Sequence, residues 1–118
     1  MSVMFSVDGT SVWWPAADVG LLFKEQAEAV AAALDMQSGL GDVYADEIVI
    51  DLPVFEAFLI RLADRYKTPY YVVKSLVTGV FGTSYVMVER AGGRLPEMDS
   101  QMPAWDDIRF QFSRSMPA

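Results

Sequence analysis

The sequence predicts an α+β domain that is mainly helical, with a three-helix core, a short N-terminal antiparallel β-hairpin and a C-terminal edge strand. Two observations lead to this class. Of the 118 residues 53% are hydrophobic and 21% charged, which is enough apolar material for one core. The hydrophobic period is that of a strand before Pro15 and that of a helix after it. We therefore expect one globular domain over residues 1–93, and a partly ordered tail over residues 94–118 that pairs with the hairpin.

The N-terminal hairpin is predicted from alternation and turn chemistry. Val3, Phe5 and Val7 alternate with more polar residues, and Asp8-Gly9 follows them directly. Asp-Gly favours a tight hairpin turn because glycine adopts positive φ at little steric cost.

The first two helices are predicted from apolar stripes at helical spacing. One helix runs from Ala16 to about Met36, and the next begins at the N-cap Asp51 and ends near Tyr66. Residues 37–47 between them are predicted to be a loop, and residues 48–50 a short extended piece. The first stripe comprises Val19, Leu22, Phe23, Gln26, Ala27, Val30, Ala33 and Leu34, and the second comprises Phe55, Phe58, Leu59, Leu62 and Tyr66.

The third helix is predicted between Thr68-Pro69 and Gly92-Gly93, which supply start and stop signals. Its β-branched and aromatic residues also fit two strands joined near residues 79–82, so this alternative stays open. In the tail Ile108, Phe110 and Phe112 alternate with polar residues, which is typical of an edge strand.

Composition excludes several classes of function. The chain has no cysteine and no histidine, which removes disulfide scaffolds, catalytic triads and most zinc and haem sites. A net charge of −7 argues against binding nucleic acid. Polar residues such as Lys74 interrupt the apolar stretch from Pro69 to Val88, which argues against a membrane span. The first eight residues do not resemble a secretory signal. We expect a cytoplasmic protein without a cofactor.

The charge is concentrated in one third of the sequence. Between Lys24 and Arg61 there are eight acids and no base, while the rest of the chain carries eight acids and nine bases. Such a face attracts cationic partners, although runs of charge also serve solubility alone. We predict an interaction module that binds a basic protein, as acidic inhibitor or immunity-type modules do. The predicted binding residues are Asp42, Asp46, Glu47, Asp51, Trp13 and Trp14.

Two chemical alternatives use the same acids. The first is a small cofactor-free cyclase or isomerase that transfers protons through a buried Asp46 or Glu47, with Tyr44 or Tyr70 donating a hydrogen bond. The second is a divalent cation held by the acids between residues 42 and 51. Their spacing does not match an EF-hand, so no metal site is predicted.

Self-association is a third hypothesis. Ser75, Gly79 and Thr83 recur every four residues in the third helix, with Gly82 beside them. Small residues at this spacing let two helices approach closely, either within the core or in a homodimer.

Several short motifs are similar to those of a known family. They are Ser11-Val12-Trp13-Trp14-Pro15, then Leu21-Leu22-Phe23, Ser38-Gly39-Leu40-Gly41, Ala45-Asp46-Glu47 with Ile50-Asp51, and finally Phe55 and Phe58. From Phe5 to Ala91 the chain resembles a small actinobacterial family of unknown function. The resemblance implies a short extended start, a first helix, a glycine turn, an acidic step and two further helices. It implies no activity, cofactor or catalytic residue.

Overall fold

Four helices and one mixed sheet of four strands form the computed structural model, which describes residues 1–98 and 104–118. The α+β class and the mainly helical character are confirmed. Residues 99–103 of the predicted tail lie outside the described residues. The elements are β1 (Met4–Val7), β2 (Thr10–Trp13), α1 (Ala17–Ala33), β3 (Leu40–Tyr44), β4 (Glu47–Ile50), α2 (Leu52–Tyr66), α3 (Tyr71–Arg90) and α4 (Trp105–Ser115).

The N-terminal hairpin forms as predicted. β1 and β2 are antiparallel, and the turn residues Asp8 and Gly9 have φ of 50° and 80°. Positive φ at both central residues is the type I′ geometry, whose twist matches that of the strands it joins.

The prediction of a loop over residues 37–47 is wrong for residues 40–44, which form β3. Residues 48–50, which were predicted to be a short extended piece, belong to β4, and β3 and β4 form a second hairpin. Its turn residues Ala45 and Asp46 have φ of 50° and 60°, so Ala45 occupies a conformation in which glycine or asparagine is usual. β4 pairs in parallel with β1, giving the strand order β2-β1-β4-β3. The atypical turn residues conceal this hairpin in the sequence, and its partner strand β1 is about forty residues away.

The core lies between one face of the sheet and the helices. Phe5 and Trp13 stack with ring centroids 5.1 Å apart, and Phe23 of α1 meets both edge-on. The predicted buried stripe of α2 is confirmed, since all five of its residues are at most 1% exposed. The predicted stripe of α1 is partly wrong. The buried residues of α1 are Gly20, Phe23, Ala27 and Ala31, whereas Val19 and Leu22 of the predicted stripe are exposed.

α3 is one continuous helix, so the alternative of two strands is excluded. Phe81 to Val88 are eight consecutive buried residues, because α2, α4 and β2 surround this half of the helix. Burial on all sides accounts for its strand-like composition, since packing overrides local propensity. Among the described residues α3 is also the one helix long and apolar enough to cross a bilayer. More than half of that stretch is buried in the domain.

The predicted C-terminal edge strand is wrong, because Ile108, Phe110 and Phe112 belong to the helix α4. Trp105 anchors α4 against Tyr66, Phe81 and Tyr85, with ring centroids 4.9–5.4 Å away. The residues of α4 that face the core recur at helical spacing. They are Trp105, Ile108 and Phe112. The exposure of Phe110 shows that the alternation at positions 108, 110 and 112 was coincidental.

Candidate functional site

The β3–β4 hairpin carries most of the predicted acidic residues. Asp42 and Asp46 are exposed, and Tyr44 between them is 84% exposed. Glu47 is half-buried, and its Oε2 accepts a hydrogen bond from Ser6 Oγ at 2.5 Å. The hairpin thus presents two exposed carboxylates and one aromatic ring to solvent.

One face of the sheet is exposed at Tyr44 and Val49 of this hairpin, whereas Ser6 on the same face is buried. Directly paired strand residues share a face, so the pairing places Tyr44 and Met4 beside Glu47 and places Ser6 beside Val49. Val49 is 56% exposed at the centre of this face. The face therefore combines apolar side chains with a carboxylate.

A groove of about 740 Å³ begins where β3 begins. The last turns of α1, the segment before β3, the end of β4 and the start of α2 enclose it. In the part of the chain that the structure describes, Glu28 and Asp51 are the acidic residues of its lining, which contains no lysine or arginine. The other residues of the lining are Ala31, Ala32, Met36, Gln37, Ser38, Gly39, Leu40, Gly41, Val49, Ile50 and Val54.

The turn before β3 shapes this groove. Buried Ser38 donates its hydroxyl to Glu28 and accepts the N–H of Leu40 at 3.0 Å. Gly39 has φ of +88°, and a Cβ there would lie 2.6 Å from the backbone N of Phe55. Both conditions require glycine. Sequence reasoning missed Glu28 and Ser38 as site residues, although Ser38-Gly39 was the available signal for a tight, hydrogen-bonded turn.

Among the described residues, the acids of the hairpin and of the groove form no ion pair. Within residues 1–98 and 104–118 the one ion pair joins Arg109 and Glu89, at 3.0 Å. Arg61 and Arg65 line a surface pocket towards the other end of α2, together with Asp64. At 1.5 Å per residue, Arg61 and Arg65 lie about 15 and 21 Å along the helix from Asp51, so they do not pair with it. Like Glu47 and Glu28, Glu56 accepts a hydrogen bond within the chain, in its case from the backbone N–H of Arg94.

The family assignment covers the whole chain. The family of unknown function DUF6086 matches residues 1–118. The chain belongs to this family. The match therefore includes the C-terminal residues that the resemblance left out. No curated protein and no solved structure matches the chain.

The two neighbouring tryptophans have different surroundings. Trp13 is buried in the aromatic cluster of the core, whereas Trp14 is 50% exposed and its backbone N–H donates to the carbonyl of Pro117 at 2.8 Å. This places Trp14 at the end of β2, at the opposite edge of the sheet from β3. The structure therefore does not bring either indole into the acidic hairpin.

The residues of the enzyme alternative do not share a cavity. Tyr44, Asp46 and Glu47 lie together on the hairpin, but Tyr70 precedes α3 and lines a separate surface pocket with Arg61. None of the four lines the groove of 740 Å³. Among the residues that the structure describes, no three carboxylates converge in a way that could hold a metal ion.

The small residues of α3 lie in two different environments. Ser75 and Gly79 are exposed, and a Cβ at Gly79 would meet nothing within 4 Å. Thr83 is buried, and Gly82 lies under the ring of Phe112. The C-terminal part of this stripe therefore packs against α4 within the chain, and only its N-terminal part is open.

Proposed function

We propose that this protein is an acidic interaction module that binds a basic protein through the β3–β4 hairpin and the adjoining groove. The observation that carries the proposal is the isolation of the acids. Asp42, Asp46 and Asp51 have no ion-pair partner among the described residues, and no base lines the groove. Unpaired carboxylates on an exposed surface attract cationic partners and raise their association rate.

The apolar groups around these acids support the same role. Tyr44, Val43 and Val49 are all exposed on the hairpin. An exposed tyrosine is a favourable interface anchor, because it brings apolar area and a hydroxyl at a small cost in conformational entropy. The geometry favours binding over carboxylate catalysis, since Asp46 lies in solvent and Tyr44, Asp46, Glu47 and Tyr70 do not line a common cavity. Cytoplasmic location is part of the proposal.

The test is affinity capture from a lysate of the source organism, at low and at high salt. Three baits are compared: the unmodified protein, the double variant Asp42→Asn/Asp46→Asn, and the matched control Asp106→Asn/Asp107→Asn. Both variants lose two exposed carboxylates, the first at the hairpin and the second in the first turn of α4. The hairpin variant should bind its partner about twofold to thirtyfold more weakly, from about 0.2–1 kcal/mol per exposed pair.

The proposal expects basic proteins that the unmodified bait and the control both retain, and that high salt releases. A set of captured proteins that is the same for all three baits and indifferent to salt contradicts it.

A second candidate role, self-association, rests on the N-terminal half of α3. Tyr71, Val72 and Leu76 are 68–80% exposed there, beside an apolar groove of about 380 Å³ between α1 and α3. Isolated apolar residues are common on surfaces, but a contiguous patch marks an interaction site. Sedimentation at tens of micromolar tests this role. A dimer that Leu76→Glu dissociates supports it, and a monomer contradicts it.

A further inference from the structure

The two edges of the sheet differ in how their backbone groups are satisfied. At the β2 edge, Arg90 donates from Nη1 to the carbonyl of Val12 at 2.9 Å, and the N–H of Trp14 binds Pro117. The chain's own C-terminal part therefore covers this edge. At the β3 edge, the described residues supply no hydrogen bond from outside the sheet to the backbone of Asp42, Val43 or Tyr44.

The pairing within the hairpin determines which groups of β3 point outward. Tyr44 and Glu47 flank the two-residue turn, so they form the hydrogen-bonded pair that closes it. The next pair, Val43 and Ile48, is then non-hydrogen-bonded. The N–H and C=O of Val43 consequently point away from the sheet. They are available to another strand.

β3 has only part of the usual protection of an edge, at the register shift in its first half. Native edges are guarded by lysine, proline, bulges or covering segments. β3 contains neither lysine nor proline, and its register shift between Leu40 and Val43 confines the regular part of the strand to its last residues. Its charged side chain is acidic, Asp42, and Asp46 follows in the turn. These acids repel a second copy of the same strand and attract a cationic one.

We propose that the partner binds by strand addition: an extended basic segment pairs with the outer edge of β3, with lysine or arginine opposite Asp42 and Tyr44. This inference rests on the proposed function and states its mode of recognition. Backbone hydrogen bonds at Val43 supply affinity, as in other cases of added strands. Specificity comes from charge pairing at Asp42 and from a cation over the ring of Tyr44.

The test uses two synthetic peptides with the sequence Lys-Thr-Lys-Val-Lys-Thr-Lys-Val. One has an ordinary backbone and the other is N-methylated at every amide, so their side chains and charge are the same but only the first can donate to a strand. Binding is measured by titration calorimetry at low salt, and the amide of Val43 is followed by hydrogen exchange. We expect the ordinary peptide to bind at least about tenfold more tightly and to protect the Val43 amide.

A protein variant provides the complementary test. Val43→Pro removes the outward N–H, which an edge position tolerates, whereas Val43→Thr keeps the N–H and is the control. Val43→Pro should bind the ordinary peptide as weakly as the unmodified protein binds the methylated one. Val43→Thr should bind normally. If Val43→Pro does not fold, the two peptides still decide the question on the unmodified protein.

Equal affinity for both peptides, binding by Val43→Pro as tight as by Val43→Thr, or no binding of either peptide would overturn strand addition. Equal affinity that Asp42→Asn/Asp46→Asn weakens would leave the proposed basic-partner function standing without the strand. Failure of that function itself is read separately, from lysate capture that does not respond to the hairpin variant.

Discussion

Two glycines of α3 respond in opposite ways to the same substitution. A Cβ at Gly79 meets no atom within 4 Å, whereas a Cβ at Gly82 would lie 2.5 Å from Cδ2 and Cε2 of Phe112 and 2.9 Å from its Cζ. Replacing glycine by alanine within a helix gains about 1 kcal/mol of helix propensity at either position. The two sites therefore differ only in what the new methyl group meets.

The magnitude follows from these distances. Carbon atoms in ordinary contact are about 3.5–4.0 Å apart, so the ring of Phe112 must retreat by about 1 Å in Gly82→Ala. Overpacking of this kind costs about 1–3 kcal/mol. After the propensity gain, Gly82→Ala should lower the free energy of unfolding by up to about 2 kcal/mol, while Gly79→Ala should raise it by up to about 1 kcal/mol.

Urea denaturation followed by circular dichroism and tryptophan fluorescence measures both variants. Phe112→Ala is the background that isolates the cause, because without the ring Gly82→Ala should become stabilising like Gly79→Ala. Equal effects of the two alanines in the unmodified background would refute the reasoning. So would a Gly82→Ala effect that Phe112→Ala leaves unchanged, because the clash could not then be its source.

Three further perturbations probe other parts of the structure. Arg90→Met removes the guanidinium bonds to the carbonyls of Val12, Ser113 and Met116, and should cost about 2–3 kcal/mol in urea denaturation and loosen the C-terminal helix to proteases. Gly39→Ala should cost about 2–4 kcal/mol, from positive φ plus the clash with a backbone atom. Burial raises the pKa of Tyr66 above its ordinary 10.0. Above pH 10 the unfolded chain therefore ionises first, and stability falls with pH more steeply than in Tyr66→Phe.

Each of these perturbations has a control and an outcome that contradicts it. Arg90→Lys keeps the charge without the planar fork and should recover only part of the loss; full recovery would mean that charge alone matters. Gly92→Ala has positive φ and open space, so it should cost only about 1 kcal/mol, and a cost equal to that of Gly39→Ala would exclude the backbone clash. Parallel stability curves for the unmodified protein and Tyr66→Phe above pH 10 would exclude the raised pKa.

The sequence predictions were correct where the structure depends on residues close together in the chain, and less accurate where it depends on distant contacts. The stripe of α2 was predicted correctly because five large apolar residues leave one orientation for the helix. The buried stripe of α1 was predicted on a partly wrong face of the helix. The second half of α1 is mostly alanine, so its own side chains do not define one buried face, and the elements that pack against it set its orientation. Gly20, which fits against Val3 and Phe5, decides that orientation in the structure.

The candidate site was likewise only partly predictable from the sequence. The excess of acids between residues 25 and 56 was readable from the sequence, and so was the Asp8-Gly9 turn. The strand that carries Asp42 and Tyr44 was not, because Ala45-Asp46 is a poor turn signal and the hairpin is held in place by parallel pairing of β4 with β1. Glu28 was not predicted as a site residue, because only the folded structure shows its hydrogen bond to Ser38.

Composition and local pattern thus determined the charge, the mainly helical class, the first hairpin and the second and third helices, because these depend on neighbours within about a helical turn. Only the tertiary structure decided that residues 40–44 form a strand paired with β4, that α4 is a helix anchored by Trp105, and that the described residues leave the edge of β3 uncovered. These features depend on contacts between residues far apart in the chain, whose energies no local pattern contains.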